Sequence, residues 1–418
     1  ALLGVAGATL MPSTLALLTN MFHTPAQRTF AIAVWMTCFT AGEAIGPLVG
    51  GALLELFWWG SIFLIGVPVM ALLLAVGPFV LPESSERLPG RLDMISAALL
   101  IASVLPLVYA IKKLALSGVG LELVGWAVLG LAVGAVFCRR QLRMDDPLMD
   151  LRLFRLPAFS AGLTTQVIAV AAMAGSQLLV LQYLQSVLGL SPFQAGLWTV
   201  PSIVLGIIAT LLAPKMVTHI RPAKVVGVCL AIAAVGSGIL AVTAPMQSLP
   251  VTIVGFTVLY TGVTPTLALI TDLIVSSAPE ERSGMASGVA ESGGEFGLAG
   301  GMAFIGAAAM AVYQVRLAGA APAGVDEGSL DAAQETVGAG VRIAEETTGA
   351  TGAALLDAVH AAYSDGLQVA AGAGAVLLAV GAALALGFLR GAPASAEQAG
   401  DTSSPDEPKS TAGATTEH

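Results

Sequence analysis

Apolar runs of twenty residues or more recur along this chain with almost no charge inside them, and that pattern constrains the fold before anything else does. ALLGVAGATLMPSTLALLTNMF at the start and VVGVCLAIAAVGSGILAVTA at 225–244 are two examples. About 20 apolar residues carry a helix across the hydrocarbon core of a bilayer. Only 11% of the 418 residues are charged, against about a quarter in soluble domains. The sequence therefore predicts an all-α, polytopic membrane protein. Cutting at charged and turn-forming interruptions gives eleven spans, near 1–22, 29–53, 60–81, 92–112, 119–138, 158–187, 193–214, 223–243, 250–275, 283–313 and 364–390. Residue 1 is Ala and already lies inside an apolar run, with no charged region ahead of it, which reads as a truncated start.

Lys and Arg orient the spans, because they collect in cytoplasmic connections. With residues 23–28 placed inside, the inner connections and tail hold fourteen basic residues and the outer ones four: Lys112, Lys113, Arg316 and Arg342. The C-terminus is then cytoplasmic. The net charge of -9 arises mainly at 326–365 and after Arg390, outside the spans, so it says nothing direct about a substrate. Cys38, Cys138 and Cys229 lie in or at the edge of apolar runs and read as packing residues, with no disulfide scaffold or metal set. Scattered basic residues give no nucleic-acid signature.

Two connections are long. Residues 139–157 (RRQLRMDDPLMDLRLFRLP) form an amphipathic cytoplasmic connector, and 314–363 form an external two-helix hairpin, with helices in DEGSLDAAQETVGAGVRIAEE and GAALLDAVHAAYSDG. The Pro-, Ser-, Thr- and acid-rich residues 391–418 read as a disordered cytoplasmic tail. An enzyme is disfavoured: His23, His219, His360 and His418 fall in loops or tail, and no span carries a nucleophile and base.

No Lys or Arg lies deep in any span, and the ionisable residues there are acids: Glu43, Glu291, Glu295 and, near an inner end, Asp272. A charge in the membrane costs about 2.5 kcal/mol or more on insertion scales, so each marks a candidate site. Carboxylates suit cations and protons. Glu291 and Glu295 stand four residues apart in SGVAESGGEFGLAGG and so share a helix face. Two carboxylates that close in a low dielectric resist joint ionisation, so one is expected to hold a proton near neutral pH. Glu43 precedes Gly46, Pro47, Gly50 and Gly51 in TAGEAIGPLVGGAL, where small residues allow close helix contact and Pro47 permits a kink. Phe57, Trp58 and Trp59 at an external helix end read as an interfacial belt.

GEAIGPLVGG, with Gly42, Gly46, Pro47, Gly50 and Gly51, resembles the antiporter motif of major facilitator drug/proton antiporters. FWWGSIFLIGVPV (57–69), DPLMDLRLF (146–154), YLQSVLGLSPFQAGLWTVP (183–201) and APEERSGMASGV (278–289) resemble its 14-helix branch. With ESGGEFG and the external hairpin, the likeness is to the QacA/SmvA/LfrA-like multidrug efflux proteins. The resemblance implies a major facilitator fold, with 11 of 14 transmembrane helices present. It divides the chain into the remainder of an N-terminal bundle (1–81), two inserted helices (92–138) and a C-terminal bundle (158–390). It implies proton-coupled export of lipophilic organic cations across the cytoplasmic membrane. The energy source is then the proton gradient, with no cofactor and no metal, and the partners are cationic small molecules, protons and the bilayer, with a monomeric protein. The expected substrate and proton residues are Glu291, Glu295, Asp272 and Glu43. The alternative is a major facilitator exporter of another small molecule, such as a natural product.

Overall fold

The computed structural model describes residues 48–80, 93–117, 120–144, 147, 149–217, 220–277, 283–322 and 324–389, with isolated positions 14, 21, 38, 42, 45 and 46. The span expected at 1–22, most of that at 29–53, the connection 82–91 and the tail 391–418 lie outside them, as do Glu43 and Pro47. Among the described residues the secondary structure is helical throughout, with no strand.

After a helical stretch at 48–56, the elements are α1 (Ser61–Leu64), α2 (Gly66–Val80), α3 (Met94–Ser117), α4 (Leu121–Gln141), α5 (Pro157–Ser186), α6 (Pro192–Val217), α7 (Pro222–Thr243), α8 (Leu249–Ser276), α9 (Ser283–Ala320), α10 (Glu327–Glu335), α11 (Val337–Glu346) and α12 (Ala350–Phe388). Seven of them, α4 to α9 and α12, are long and apolar enough to cross a membrane, and Ser61–Gly77 and Met94–Ala110 are shorter apolar helical stretches. The starts follow local chemistry. Pro157 and Pro222 occupy the first turns of α5 and α7, where a missing N–H costs nothing. At the other end of α5, Gly189 takes a positive φ of 67°, while the N–H of Leu190 bonds the carbonyl of Leu184 and stops the helix.

Helices α5 to α9 and α12 pack as one bundle, with α7 flanked by α8 and α12, and α9 by α5 and α12. Small residues let these backbones approach. A Cβ added at Gly236 would lie 2.7 Å from Cα of Leu259, and one at Gly262 would lie 2.6 Å from N of Ala233. Around these contacts sit Leu230, Leu240, Phe256, Tyr260 and Ile270, each at most 2% exposed. The inserted pair, α3 and α4, packs on itself, and α3 also touches α9. At the turn between the two helices, Lys113 forms a 2.9 Å ion pair with Glu122. At the opposite end of the pair Arg140 bonds both carboxylate oxygens of Asp93, at 3.0 and 3.1 Å, and its Nε donates to Ser96. Ser96 also donates to Asp93, and these bonds hold the Asp93 carboxyl down at about 2.

The connector after α4 is fastened to the bundle. Gln141, buried, donates to Ser96 Oγ at 2.7 Å and accepts the N–H of Met149 at 3.1 Å. The N–H of Asp150 points at Met285 Sδ in the first turn of α9. The Asp150 carboxylate caps a 3-10 turn, Leu151–Arg155, by accepting from the N–H of Arg152, and Leu153 in that turn is buried. The periodicity that reads as an amphipathic segment thus becomes a short capped turn with one anchoring leucine.

The segment 314–363 departs from the expected two-helix hairpin in two ways. Its first helical stretch breaks at Thr336, whose extended backbone and Oγ1, accepting from the N–H of Ala339, restart the chain as α11. Its second stretch has no end: GAALLDAVHAAYSDG continues into the last span as the 39-residue helix α12, so the boundary at 364 disappears. His360 accordingly lies inside a helix rather than in a loop. Helix α9 also overruns its expected end at 313 and reaches Ala320. Around these extensions a second core forms from Tyr183, Tyr313, Leu317, Ala333, Leu355, Val359 and Tyr363. Tyr313 donates to the carbonyl of Ala333 at 2.8 Å, Tyr363 to Gln182 at 2.9 Å, and Tyr183 to the carbonyl of Ala244 at 2.9 Å. Of the cysteines only Cys229 is buried; Cys38 and Cys138 are exposed, so the packing role expected of all three holds for one.

Candidate functional site

Helix α9 carries both glutamates. At 1.5 Å per residue from Ser283, Glu291 stands about 12 Å and Glu295 about 18 Å along the axis, and a core about 30 Å thick that begins at Ser283 would have them near its middle. The helix is held at that level by a stripe of glycines. A Cβ at Gly293 would fall 2.5 Å from Cδ1 of Leu163, one at Gly297 2.9 Å from the carbonyl oxygen of Val167, and one at Gly301 2.6 Å from the carbonyl carbon of Ala171, all on α5. On the reciprocal side a Cβ at Gly175 would lie 2.6 Å from Cβ of Ile305. This packing fixes the rotation of α9. Gly293, Gly297 and Gly301 face α5, and Glu291 and Glu295 are both exposed.

Neither carboxylate has a hydrogen bond or an ion pair among the described residues, whereas nearby hydroxyls are spent on their own helices. Ser292 Oγ donates to the carbonyl of Gly288 at 2.8 Å, and Thr165 Oγ1 to that of Ala161 at 2.7 Å. Two uncommitted acids on one face can take up a cation or a proton. Gln166 of α5 is a polar residue at the same level that reading for charge passes over. It is 7% exposed, its Oε1 has no partner, and its Nε2 lies 3.6 Å from where a Cβ on Gly294 would be. A neutral amide beside Thr164 and Thr165 in TTQVIAV carries no charge signal, and a lone glutamine at midspan depth is the sign that could have found it.

Asp272 occupies the penultimate turn of α8 and is exposed. Glu43 lies outside the described residues, so nothing places it beside the pair. The glycines of the antiporter-like stretch divide. An added Cβ at Gly42, Gly46 or Gly50 meets nothing within 4 Å, while one at Gly51 would lie 2.6 Å from both N and Cα of Phe193, at the start of α6. Among the described residues, the close approach expected from this motif is seen at Gly51. Phe57, Trp58 and Trp59 are 61 to 71% exposed, and Trp58 and Trp59 meet edge to face at 5.8 Å. The crevice of about 170 Å³ at the connector, against Gln141, Asp150 and Arg152, is separate from the carboxylates.

The comparisons agree with this architecture. The sequence model of the Major Facilitator Superfamily matches residues 1–302. The multidrug efflux pump LfrA of Mycolicibacterium smegmatis is 38% identical over 391 residues, 93% of this chain and 77% of that protein. The methyl viologen resistance protein SmvA of Salmonella typhimurium is 31% identical over 91% of this chain and 77% of its own. The tetracenomycin C resistance and export protein of Streptomyces glaucescens is 32% identical over 72% of this chain and 56% of its own. Among solved structures, a bacterial homologue of the human lysosomal transporter Spinster, captured inward-facing and unoccupied, superposes with a TM-score of 0.53 at 19% identity. The match covers 91% of this chain and 75% of that one, a likeness of fold alone. The chain belongs to the Major Facilitator Superfamily, on the branch of its multidrug efflux pumps, and is a multi-pass membrane transporter rather than an enzyme.

Proposed function

We propose that this transporter expels lipophilic organic cations from the cell in exchange for protons. The observation that carries the reading is the pair Glu291 and Glu295: two midspan carboxylates, four residues apart, with no partner of their own among the described residues. Leaving an acid uncompensated in the membrane is costly, and a cation or a proton supplies the compensation in turn. A cation drawn from the cytoplasm or inner leaflet binds the deprotonated pair, the bundles rock about the site to open outward, and external protons displace it. In this scheme 1–81 belongs to one bundle, 158–390 to the other, and α3 and α4 are inserted between them. The protein sits as a monomer in the cytoplasmic membrane with its C-terminus inside, Asp272 serves as an entry-side acid, and Glu43 joins the site from the first bundle. The proton gradient is the energy source, with no cofactor or metal.

The similarity to efflux pumps whose names specify multidrug and methyl viologen resistance supports cationic cargo. The similarity to a tetracenomycin C exporter favours the second reading, export of a neutral natural product with the acids used for protons alone. The two separate in everted vesicles energised with a proton gradient. In the intact transporter, the Glu291→Gln, Glu295→Gln double variant keeps side-chain volume but cannot titrate. Loss of efflux of both a monovalent dye cation and methyl viologen is expected. Full proton-driven efflux of both by that variant rejects the carboxylate mechanism. Proton-driven export of neutral compounds with no cation transport by the unmodified protein favours the natural-product reading.

A further inference from the structure

Among the described residues, Gln166 is the one side chain beside the carboxylate-bearing stretch of α9 that is buried and left with an acceptor unserved. It stands about 14 Å along α5 from Pro157, between the depths of Glu291 and Glu295 on α9. A buried amide oxygen with no donor costs the full desolvation of that group, and inside a membrane no bulk water relieves it. The surrounding backbone N–H groups are taken up by helix bonds. The hydroxyls of Thr165 and Ser292 are committed to carbonyls on their own helices.

The donor that fits is a protonated carboxyl. The Gln166 amide lies against Gly294, which has no side chain to fill the gap, and Glu291 is three residues earlier on the same helix. Residues three apart on a helix have Cβ atoms about 5–6 Å from each other, within the reach of a glutamate side chain. Other charged groups on the elements packed against α9 stand at other levels. On α5, 157–186 has none; on α8 Asp272 occupies the penultimate turn. On α12 Asp357, His360 and Asp365 belong to its outer part, where Asp365 pairs with Arg316 at 3.1 Å. On α10, Glu327, Asp331 and Glu335 lie outside the membrane, and on α3 Asp93 is at the inner end and Lys112 and Lys113 at the outer.

We propose that Gln166 is a positioning residue of the carboxylate site, its amide oxygen accepting the O–H of protonated Glu291 and thereby setting how strongly a proton competes with the cation. This rests on the reading of Glu291 and Glu295 as the exchange site.

The test is the pH profile of dye-cation binding to the purified intact transporter, with thermal stability measured alongside. Gln166→Leu removes the acceptor, which weakens proton binding. Cation binding should then persist to more acidic pH, its midpoint moving down by about half a unit to one unit, the equivalent of one hydrogen bond. Thermal stability should hold or rise, because an orphaned polar group has gone. A residue that only packs gives the opposite pattern, lower stability with an unmoved midpoint, and that result overturns the proposal. If the leucine variant does not fold, Gln166→Met repeats the measurement with an unbranched side chain, and failure of both assigns the amide to packing and ends the proposal. An unshifted midpoint in a transporter whose double glutamine variant at 291 and 295 no longer binds cations defeats Gln166 alone. Cation binding that survives in the double variant defeats the exchange site itself.

Discussion

The contact between α9 and α5 makes a sharp demand at one glycine, and a matched pair of alanine substitutions measures it. Gly300 and Gly301 are neighbours in the same helix, so replacing either by Ala brings the same gain in helix propensity, up to about 1 kcal/mol. Their surroundings differ. The nearest atom to a Cβ at Gly300 is 3.9 Å away, on Phe304 of the same helix, whereas at Gly301 the carbonyl carbon of Ala171 is 2.6 Å away. Restoring an ordinary contact of 3.4 Å means moving one backbone off the other by more than about 0.8 Å, because the carbonyl oxygen and Cα of Ala171 come nearer still. Overpacking of this kind costs about 1–3 kcal/mol. The obstacle is backbone, so no side-chain rotation relieves it. Gly300→Ala should therefore be neutral or stabilising, and Gly301→Ala should lie about 1–3 kcal/mol below it. Six residues separate Gly301 from Glu295, about 9 Å along the axis, so the same displacement should disturb transport. Unfolding in detergent followed by circular dichroism reads the first effect, and dye efflux from vesicles reads the second. Equal stability of the two variants, or a more stable Gly301→Ala, refutes the claim that this glycine sets the helix spacing.

Three other outcomes can be checked directly. Gly51→Val should impair transport through its clash with the backbone at Phe193 while Gly46→Ala leaves transport intact; equal effects on efflux contradict the assignment of the close approach to Gly51. Asp93 has its carboxyl lowered to about 2 by Ser96 and Arg140, so its contribution to stability is fully present above about pH 4 and is lost as pH falls toward 2. Thermal unfolding across that range should show this loss in the native protein and a reduced slope in Asp93→Asn. Tyr313→Phe removes the bond to Ala333 at the base of the outer helices, about 1 kcal/mol, and hydrogen exchange should speed up across 327–346 and stay unchanged in α7.

The sequence carries the helices α5 to α8 to within three residues at either end, because Pro157, Pro192 and Pro222 punctuate apolar runs of the right length, and a lipid-spanning helix has few other ways to begin. It carries the carboxylates too, since an acid inside such a run stands out by charge alone. The unity of α12 is less visible. Gly352 and Gly366 look like interruptions there, yet Gly366 serves contact: its Cβ position is 2.6 Å from the carbonyl oxygen of Ala309 on α9. A glycine that admits a neighbour and a glycine that ends a helix look alike until the neighbour is known. The same ambiguity hides which of Gly46 and Gly51 touches another helix. Gln166 stays hidden because orphaning is a property of surroundings. The amide becomes conspicuous only once Thr165 and Ser292 are seen to be occupied.

The 39 residues of α12 form a rod about 58 Å long, nearly twice the thickness of the hydrocarbon it crosses. Its outer end is splinted by α11, with Tyr313, Val359 and Tyr363 in one core. In the proposed rocking of the bundles such a rod would act as a lever. A tilt of about 10° about its inner end swings the tip by about 10 Å. A fluorophore on Thr351 therefore magnifies small rotations of the bundle into displacements large enough to follow on single molecules. An antibody fragment gripping α10 and α11 from outside would act as a brake on the same movement, without entering the membrane or touching the carboxylates.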